Sequence, residues 1–220
     1  GENLCQIYSR TLESARLLGM KTGIAYTAEM SEIYPDGDIY IFCVSDDSLA
    51  SLLKTIRIKE EALLLHTSGS LPMDILKPYS KNYGVLYPVQ TFSKKRDLDF
   101  DEIPLCIEGS SPNVLGKIKM LAEKLSGKIY AINSMQRKEL HLAAVFACNF
   151  PNYLYSVAGK LLEEHGLSFA MLRPLIFETA HKVMLLTPEE AQTGPARRDI
   201  TAVKIYCYSC TDRNYHRGGR

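Results

Sequence analysis

Between Gln136 and Gly166 the chain runs through a mostly apolar stretch, LHLAAVFACNFPNYLYSVAGKLL, that carries His141, Cys148, Asn149 and Asn152. At about 3.6 residues per turn, positions 141, 145, 148 or 149, and 152 fall close to one line on a helix, so their polar atoms would face one way. Polar atoms on a buried stripe need partners, because each one left unpaired costs on the order of 1–3 kcal/mol. The row is therefore expected either to bond a neighbouring helix or to line a cleft for a polar ligand. An imidazole in such a cleft can act as acid or base. Pro151 removes one helical hydrogen bond and crowds the Ala147 carbonyl, so a kink is expected beside Asn149. Glu178 and Lys182, four apart further on, are spaced as an i, i+4 ion pair.

The elements that would position such a row lie upstream. The first 130 or so residues alternate β-rich runs with helical segments. LCQIY (4–8), IYIFCV (39–44), ALLLHT (62–67), YGVLYPVQTF (83–92), PLCIEG (104–109) and KIYAIN (128–133) read as strands, with the continuous run IYIFCV expected to be buried on both faces of a parallel sheet. TLESARLLG (11–19), stopped by Gly19, DDSLASLLKTI (46–56) and a segment from about Asn113 to Leu125 read as helices. That alternation predicts βαβ units and an open, mostly parallel α/β sheet. From Met135 the pattern turns helical, so a domain boundary is expected near residue 133, with an α/β domain at 1–133 and a helical one at 134–220. Residues 199–220 continue no helical stripe and support no assignment.

In a doubly wound sheet, ligands bind outside the carboxyl ends of the strands. Three such ends are polar: Ser9-Arg10-Thr11, Ser45-Asp46-Asp47 and His66-Thr67-Ser68-Gly69-Ser70. Arg10 carries the most weight. At the end of the second strand of a dinucleotide fold, a guanidinium can make bidentate bonds to a ribose 2′-phosphate, whereas an acidic residue there would bond a 2′-hydroxyl. The choice between the two nicotinamide cofactors therefore falls on NADP.

Composition narrows the partners. Lys+Arg number 26 against 25 Asp+Glu, a formal net charge of +1, so no global field favours nucleic acid or acidic membrane. No apolar run approaches the roughly 20 residues that span a bilayer, and the opening residues carry no signal-peptide pattern, so a cytoplasmic protein is expected. Four cysteines, at 5, 43, 106 and 148, sit in apolar runs and are expected to be reduced and packed as small hydrophobes. Cys207 and Cys210 have CxxC spacing with His216 nearby, but a structural zinc site takes four ligands and no second pair exists, so no metal is expected.

The strings YSRT, DIYIFCVSDDSLASLL, LLLHTSGS, GVLYPVQTFS, QRKELHLAAVFACNFPNYLY, PLIFETAHKV and AQTGPARRD resemble the bacterial Rossmann-like proteins that carry the domain of unknown function DUF2520. That group is related to pyrroline-5-carboxylate reductase, prephenate dehydrogenase and the F420-dependent NADP oxidoreductases. The resemblance covers roughly residues 4–199. It implies an NADP-binding Rossmann domain, a helical domain that dimerises, and a reductase or dehydrogenase activity of unestablished substrate. Carried over by position, Ser9, Arg10 and Thr11 match the adenosine phosphate contacts. Val44, Ser45 and Asp46 match the loop at the nicotinamide ribose, and Thr67, Ser68 and Gly69 the loop beside the nicotinamide. Substrate would lie between that face and the helical domain, near His141, Asn149, Asn152 and Gln90, with His141 as acid or base and Asn149 orienting the substrate. Lys182 is the alternative catalytic group, since related dehydrogenases often use a helix-borne lysine.

The chain departs from the group at its start. The group opens with a strand and a glycine-rich GxGxxG turn, and these 220 residues contain no GxGxxG. A preceding segment that supplies both is expected, because without its central strand the sheet would leave apolar strands with unpaired edges. Two functions fit these readings: an NADP-dependent oxidoreductase acting on a small polar carbonyl, imine or hydroxy acid, or a dimeric NADP-binding sensor or scaffold without turnover.

Overall fold

A computed structural model of the chain describes residues 3–93 and 96–193. Strand β1 (Gln6–Tyr8) passes through Thr11, whose hydroxyl accepts from the Ser14 N–H, into helix α1 (Leu12–Thr22). The helix runs past Gly19, where the sequence suggested its end, and closes at Gly23 in the left-handed conformation, φ 71°. Gly19 is needed for space: a Cβ there would stand 2.3 Å from the Tyr26 ring. Tyr26 belongs to β2 (Ala25–Thr27), a strand too short to show in the sequence pattern, which pairs in parallel with β1.

The remaining strands form a second sheet in chain order: β3 (Ile39–Phe42), β4 (Leu63–His66), β5 (Asn82–Pro88), β6 (Leu105–Gly109) and β7 (Ile129–Ala131). β3, β4 and β5 run parallel, β6 runs antiparallel to β5, and β7 is parallel to β6. The expected α/β, mostly parallel architecture is present, divided between two sheets. Helix α2 (Asp46–Thr55) links β3 to β4, and α3 (Pro112–Ala122) links β6 to β7.

Period-two alternation sorts the side chains of this sheet. Leu63, Leu65, Leu86, Leu105 and Ile107 pack with Val114, Ile118 and Ala122 of α3 on one face. On the other, Phe42, Leu64 and Tyr83 pack with Leu49 and Leu53 of α2, and Val85, Tyr87 and Cys106 form a further cluster. β4 is buried along its whole length, which explains its unbroken apolar run.

From residue 134 the described chain is helical: α4 (Ser134–Ala144), a π turn (Val145–Asn149), α5 (Phe150–Glu163), α6 (Arg173–Leu185) and α7 (Pro188–Ala191). A capping box of Asn133 and Gln136 starts α4. The chain forms two compact units, Gly1–Asn152 and Tyr153–Arg220. Secondary structure changes character at 133, but α4 stays with the sheet because Arg137 and Ser134 are bonded to β6. Among the described residues no helix is long and apolar enough to cross a membrane.

The cysteines need a correction. Cys106 is buried in the sheet, but Cys5, Cys43 and Cys148 are exposed free thiols. Cys5 precedes the small two-stranded sheet, Cys43 follows β3, which among the described residues pairs on one side only, and Cys148 lies on the π turn. Cys207, Cys210 and His216 lie outside the described residues, as does the whole 199–220 tail.

Candidate active site

The carboxyl ends of β3 and β4 are joined by their own loops. Ser45 caps the start of α2, with its Oγ 2.7 Å from Ser48 Oγ, and the Ser70 hydroxyl after β4 donates to Asp46. Thr67 Oγ1 donates to the Phe42 carbonyl at 3.4 Å. Within the second loop the Ser68 hydroxyl accepts from the backbone N–H groups of Ser70 and Leu71 at 3.1 and 3.0 Å, which winds Thr67-Ser68-Gly69-Ser70 into a tight polar turn. Val44, Ser45 and Asp46 thus stand beside Thr67, Ser68 and Gly69.

His141 comes to this turn from α4. A Cβ on Gly69 would stand 2.5 Å from His141 Nδ1 and 2.7 Å from its Cγ, so only glycine lets the ring approach. On its other flank Nδ1 lies 3.1 Å from the hydroxyl of Tyr87, the penultimate residue of β5, and the two rings meet edge to face. The structure therefore brings together two strand-end loops, a tyrosine and the histidine singled out in the sequence.

Below this cluster lies an ionic anchor. Arg137, one turn before His141, is 1% exposed and is paired with Glu108 of β6. Its guanidinium also donates to the Leu71 carbonyl and, at 3.3 Å, to Ser134 Oγ. Glu108 accepts from the Ser134 N–H and hydroxyl at 2.8 Å each, and Ser134 Oγ accepts from the Met73 N–H at 3.0 Å. One buried network thus ties α4 to β6 and to the chain that follows the polar turn. His66, also 1% exposed, accepts the Ser68 N–H on Nδ1 at 3.2 Å. Burial, with the positive charge of Arg137 second, depresses its pKa from 6.5 to about 4, so it is neutral. Among the described residues, His66 Nε2 and Arg137 Nε are buried without a hydrogen-bond partner.

Other sequence candidates are placed differently. Ser9, Arg10 and Thr11 end β1 in the smaller sheet: the Ser9 N–H donates to the Thr27 carbonyl at 3.2 Å, Arg10 is exposed, and Thr11 caps α1. Gln90 is exposed and folds its Oε1 back onto the Thr91 N–H at 2.8 Å. Cys148, Asn149 and Asn152 are exposed where a buried stripe was expected. The irregularity expected at Pro151 takes the form of the π turn, in which the Phe150 N–H reaches back five residues to the Val145 carbonyl. The extra residue in that turn rotates the following helix by ~100° from ideal phase, so Asn152 leaves the line of His141. Lys182 pairs with Glu178 at 3.6 Å in the second unit. Among the described residues no three His, Cys, Asp or Glu side chains gather as metal ligands would.

Sequence reasoning missed Tyr87, Glu108 and Arg137 as parts of this cluster, and named His66 only as the first residue of a polar strand end. Glu108 carried a usable signal, since a carboxylate in the apolar run PLCIEG has to find a cation if it is buried. Tyr87 carried none, because an aromatic at that strand position reads as core.

No curated protein matches the sequence. The chain is 46% identical to a Bacteroides fragilis protein assigned as an NADP oxidoreductase, over 96% of this chain and 82% of the other, with a TM-score of 0.87. It is 27% identical to a Thermotoga maritima protein, over 95% and 82% of the two chains, with a TM-score of 0.69. An imine reductase from Myxococcus stipitatus, solved with NADP+, shares the fold at 16% identity, over 97% of this chain and 81% of its own, with a TM-score of 0.62. The family model for the domain of unknown function DUF2520 matches residues 103–207. With the close Bacteroides relative spanning nearly the whole chain, the protein belongs to the family of Rossmann-like proteins that carry the DUF2520 domain.

Proposed function

We propose that this protein is an NADP-dependent oxidoreductase that acts on a small polar carbonyl, imine or hydroxy acid. The observation that carries the reading is His141, held between Tyr87 and the bare backbone of Gly69 at the carboxyl end of β4. That is where a doubly wound sheet binds its ligands, and a titratable group fixed there is what proton transfer requires. The chain's residues fit a dinucleotide: the buried Gly69 offers backbone without a side chain, and exposed Arg10 stands at the end of a parallel strand beside the start of α1. Arg10, flanked by Ser9 and Thr11, would hold the 2′-phosphate by charge-assisted bonds. The segments Val44–Asp46 and Thr67–Gly69 would border the ribose and the nicotinamide. When bound, the cofactor supplies hydride chemistry. His141 meets the carbonyl or imine atom, Asn149 orients the substrate, and Gln90 and Asn152 contribute polar contacts. Lys182 is the rival to His141.

The second unit supports a homodimer. None of residues 153–193 is buried, and Tyr153, Leu154, Val157 and Leu161 make an exposed apolar stripe along α5. Apolar helix faces that stay exposed among the described residues are covered most simply by a second copy. Cytoplasmic location goes with this reading.

Calorimetric titration of NADPH and NADH into the full chain tests it. Expected is preferential binding of NADPH that Arg10→Glu weakens by about 10–100-fold, the worth of a charged hydrogen-bond pair. Failure of both nucleotides to bind refutes the proposal. Binding of NADPH with no turnover of ketone, imine or hydroxy-acid panels would instead identify a sensor or scaffold.

A further inference from the structure

Tyr87 lies buried on the face of the sheet that carries Val85 and Cys106, with its hydroxyl 3.1 Å from His141 Nδ1. The ring centroids are 6.0 Å apart at 74°, and Gly69 closes the opposite flank of the imidazole. The ring is therefore held from two sides by groups on two different strand ends. A buried phenol has one proton to place, and among the described residues the hydrogen bond recorded for this one is to Nδ1. Burial also raises the phenol pKa, so it remains an O–H donor. If the phenol donates, Nδ1 must present its lone pair, and the neutral ring carries its proton on Nε2.

We propose that Tyr87 is a positioning residue that holds His141 as the Nε2–H tautomer, so that neutral His141 donates a hydrogen bond to an acceptor atom of the substrate. This rests on the reading of His141 given above and deepens it. A base that removes a proton from a hydroxyl needs a lone pair at Nε2, which this tautomer lacks. An Nε2–H group instead recognises a carbonyl oxygen or an imine nitrogen. In this tautomer the ring can polarise a carbonyl oxygen or imine nitrogen toward hydride addition but cannot take up a hydroxyl proton at Nε2, so among the three substrate classes named above oxidation of the hydroxy acid is disfavoured.

The test is long-range proton–nitrogen NMR of the full, 15N-histidine-labelled chain at about pH 8.5, where imidazoles are neutral. Loss of one signal pair in His141→Gln assigns the ring. Expected for the native chain is a pyridine-type Nδ1 and a pyrrole-type Nε2, with a difference that shrinks toward tautomer averaging in Tyr87→Phe. His66, whose Nδ1 is held by the Ser68 N–H, should keep its signals and report intact folding. Gly69→Ala, which displaces the ring without touching Tyr87, should have the same effect and serves if Tyr87→Phe does not fold. A native ring with its proton on Nδ1 overturns the proposal, as does an Nε2–H ring unchanged by both substitutions. Neither result depends on cofactor binding, so failure here is separable from failure of the NADPH titration.

Discussion

Arg137→Met tests whether the buried network is what holds α4, and His141 with it, on the sheet. Methionine keeps much of the length of the chain and removes the charge. Left behind would be the Glu108 carboxylate, with only the Ser134 N–H and hydroxyl at 2.8 Å to satisfy it, and the Leu71 carbonyl without its guanidinium donor. Because Arg137 is 1% exposed, water cannot take its place without opening the interface. Breaking such a pair from one side costs about 3–5 kcal/mol, a large share of the 5–15 kcal/mol that keeps a domain folded. In urea, with a slope of about 1–3 kcal/mol per molar, the midpoint should fall by at least about 1 M. The double variant Glu108→Gln/Arg137→Met removes the stranded charge and should recover part of the loss, because the penalty lies in the unpaired carboxylate. A loss below about 1 kcal/mol, or a double variant no better than the sum of the singles, would refute the argument.

His66 gives a pH signature. Its folded pKa of about 4 lies below the ordinary 6.5, so the unfolded chain takes up a proton that the native state refuses. Stability is full above about pH 6.5 and falls by about 3 kcal/mol as the pH drops toward 4, and His66→Gln should flatten that decline in unfolding curves. An unchanged slope would count against the assignment. Gly84→Ala places a Cβ 2.2 Å from the Glu108 carbonyl oxygen, where backbone cannot yield, and should cost about 3 kcal/mol or prevent folding. Soluble expression at native stability would contradict the packing of β5 on β6. Leu154→Glu puts a charge on the apolar stripe of α5 and should turn a dimer into a monomer by light scattering, whereas a wild-type monomer would end the dimer proposal.

Local chemistry decided much of this protein in advance. The unbroken run IYIFCV announced a strand covered on both faces, but β3 leaves Ile39 and Ile41 exposed, and it is ALLLHT, read only as a strand, that is buried along its length with Leu63, Leu64 and Leu65 in succession. The alternation with capped helices announced the α/β sheet, and the polar ends of β3 and β4 announced the loops that meet at the site. Helix phase was a poorer guide. It placed His141, Asn149 and Asn152 on one line, and that line holds only while every turn has the same pitch. The π turn at Val145–Asn149 broke it, since Pro151 has no N–H to continue the regular ladder. The pairing of Tyr87 with His141 across 54 positions, the partner of Glu108 and the space under Gly69 were settled by the tertiary structure alone. Periodicity records which face of an element is apolar. It does not record which residue of a distant element will stand opposite, because that depends on how the sheet orders its strands and where α4 is anchored upon it.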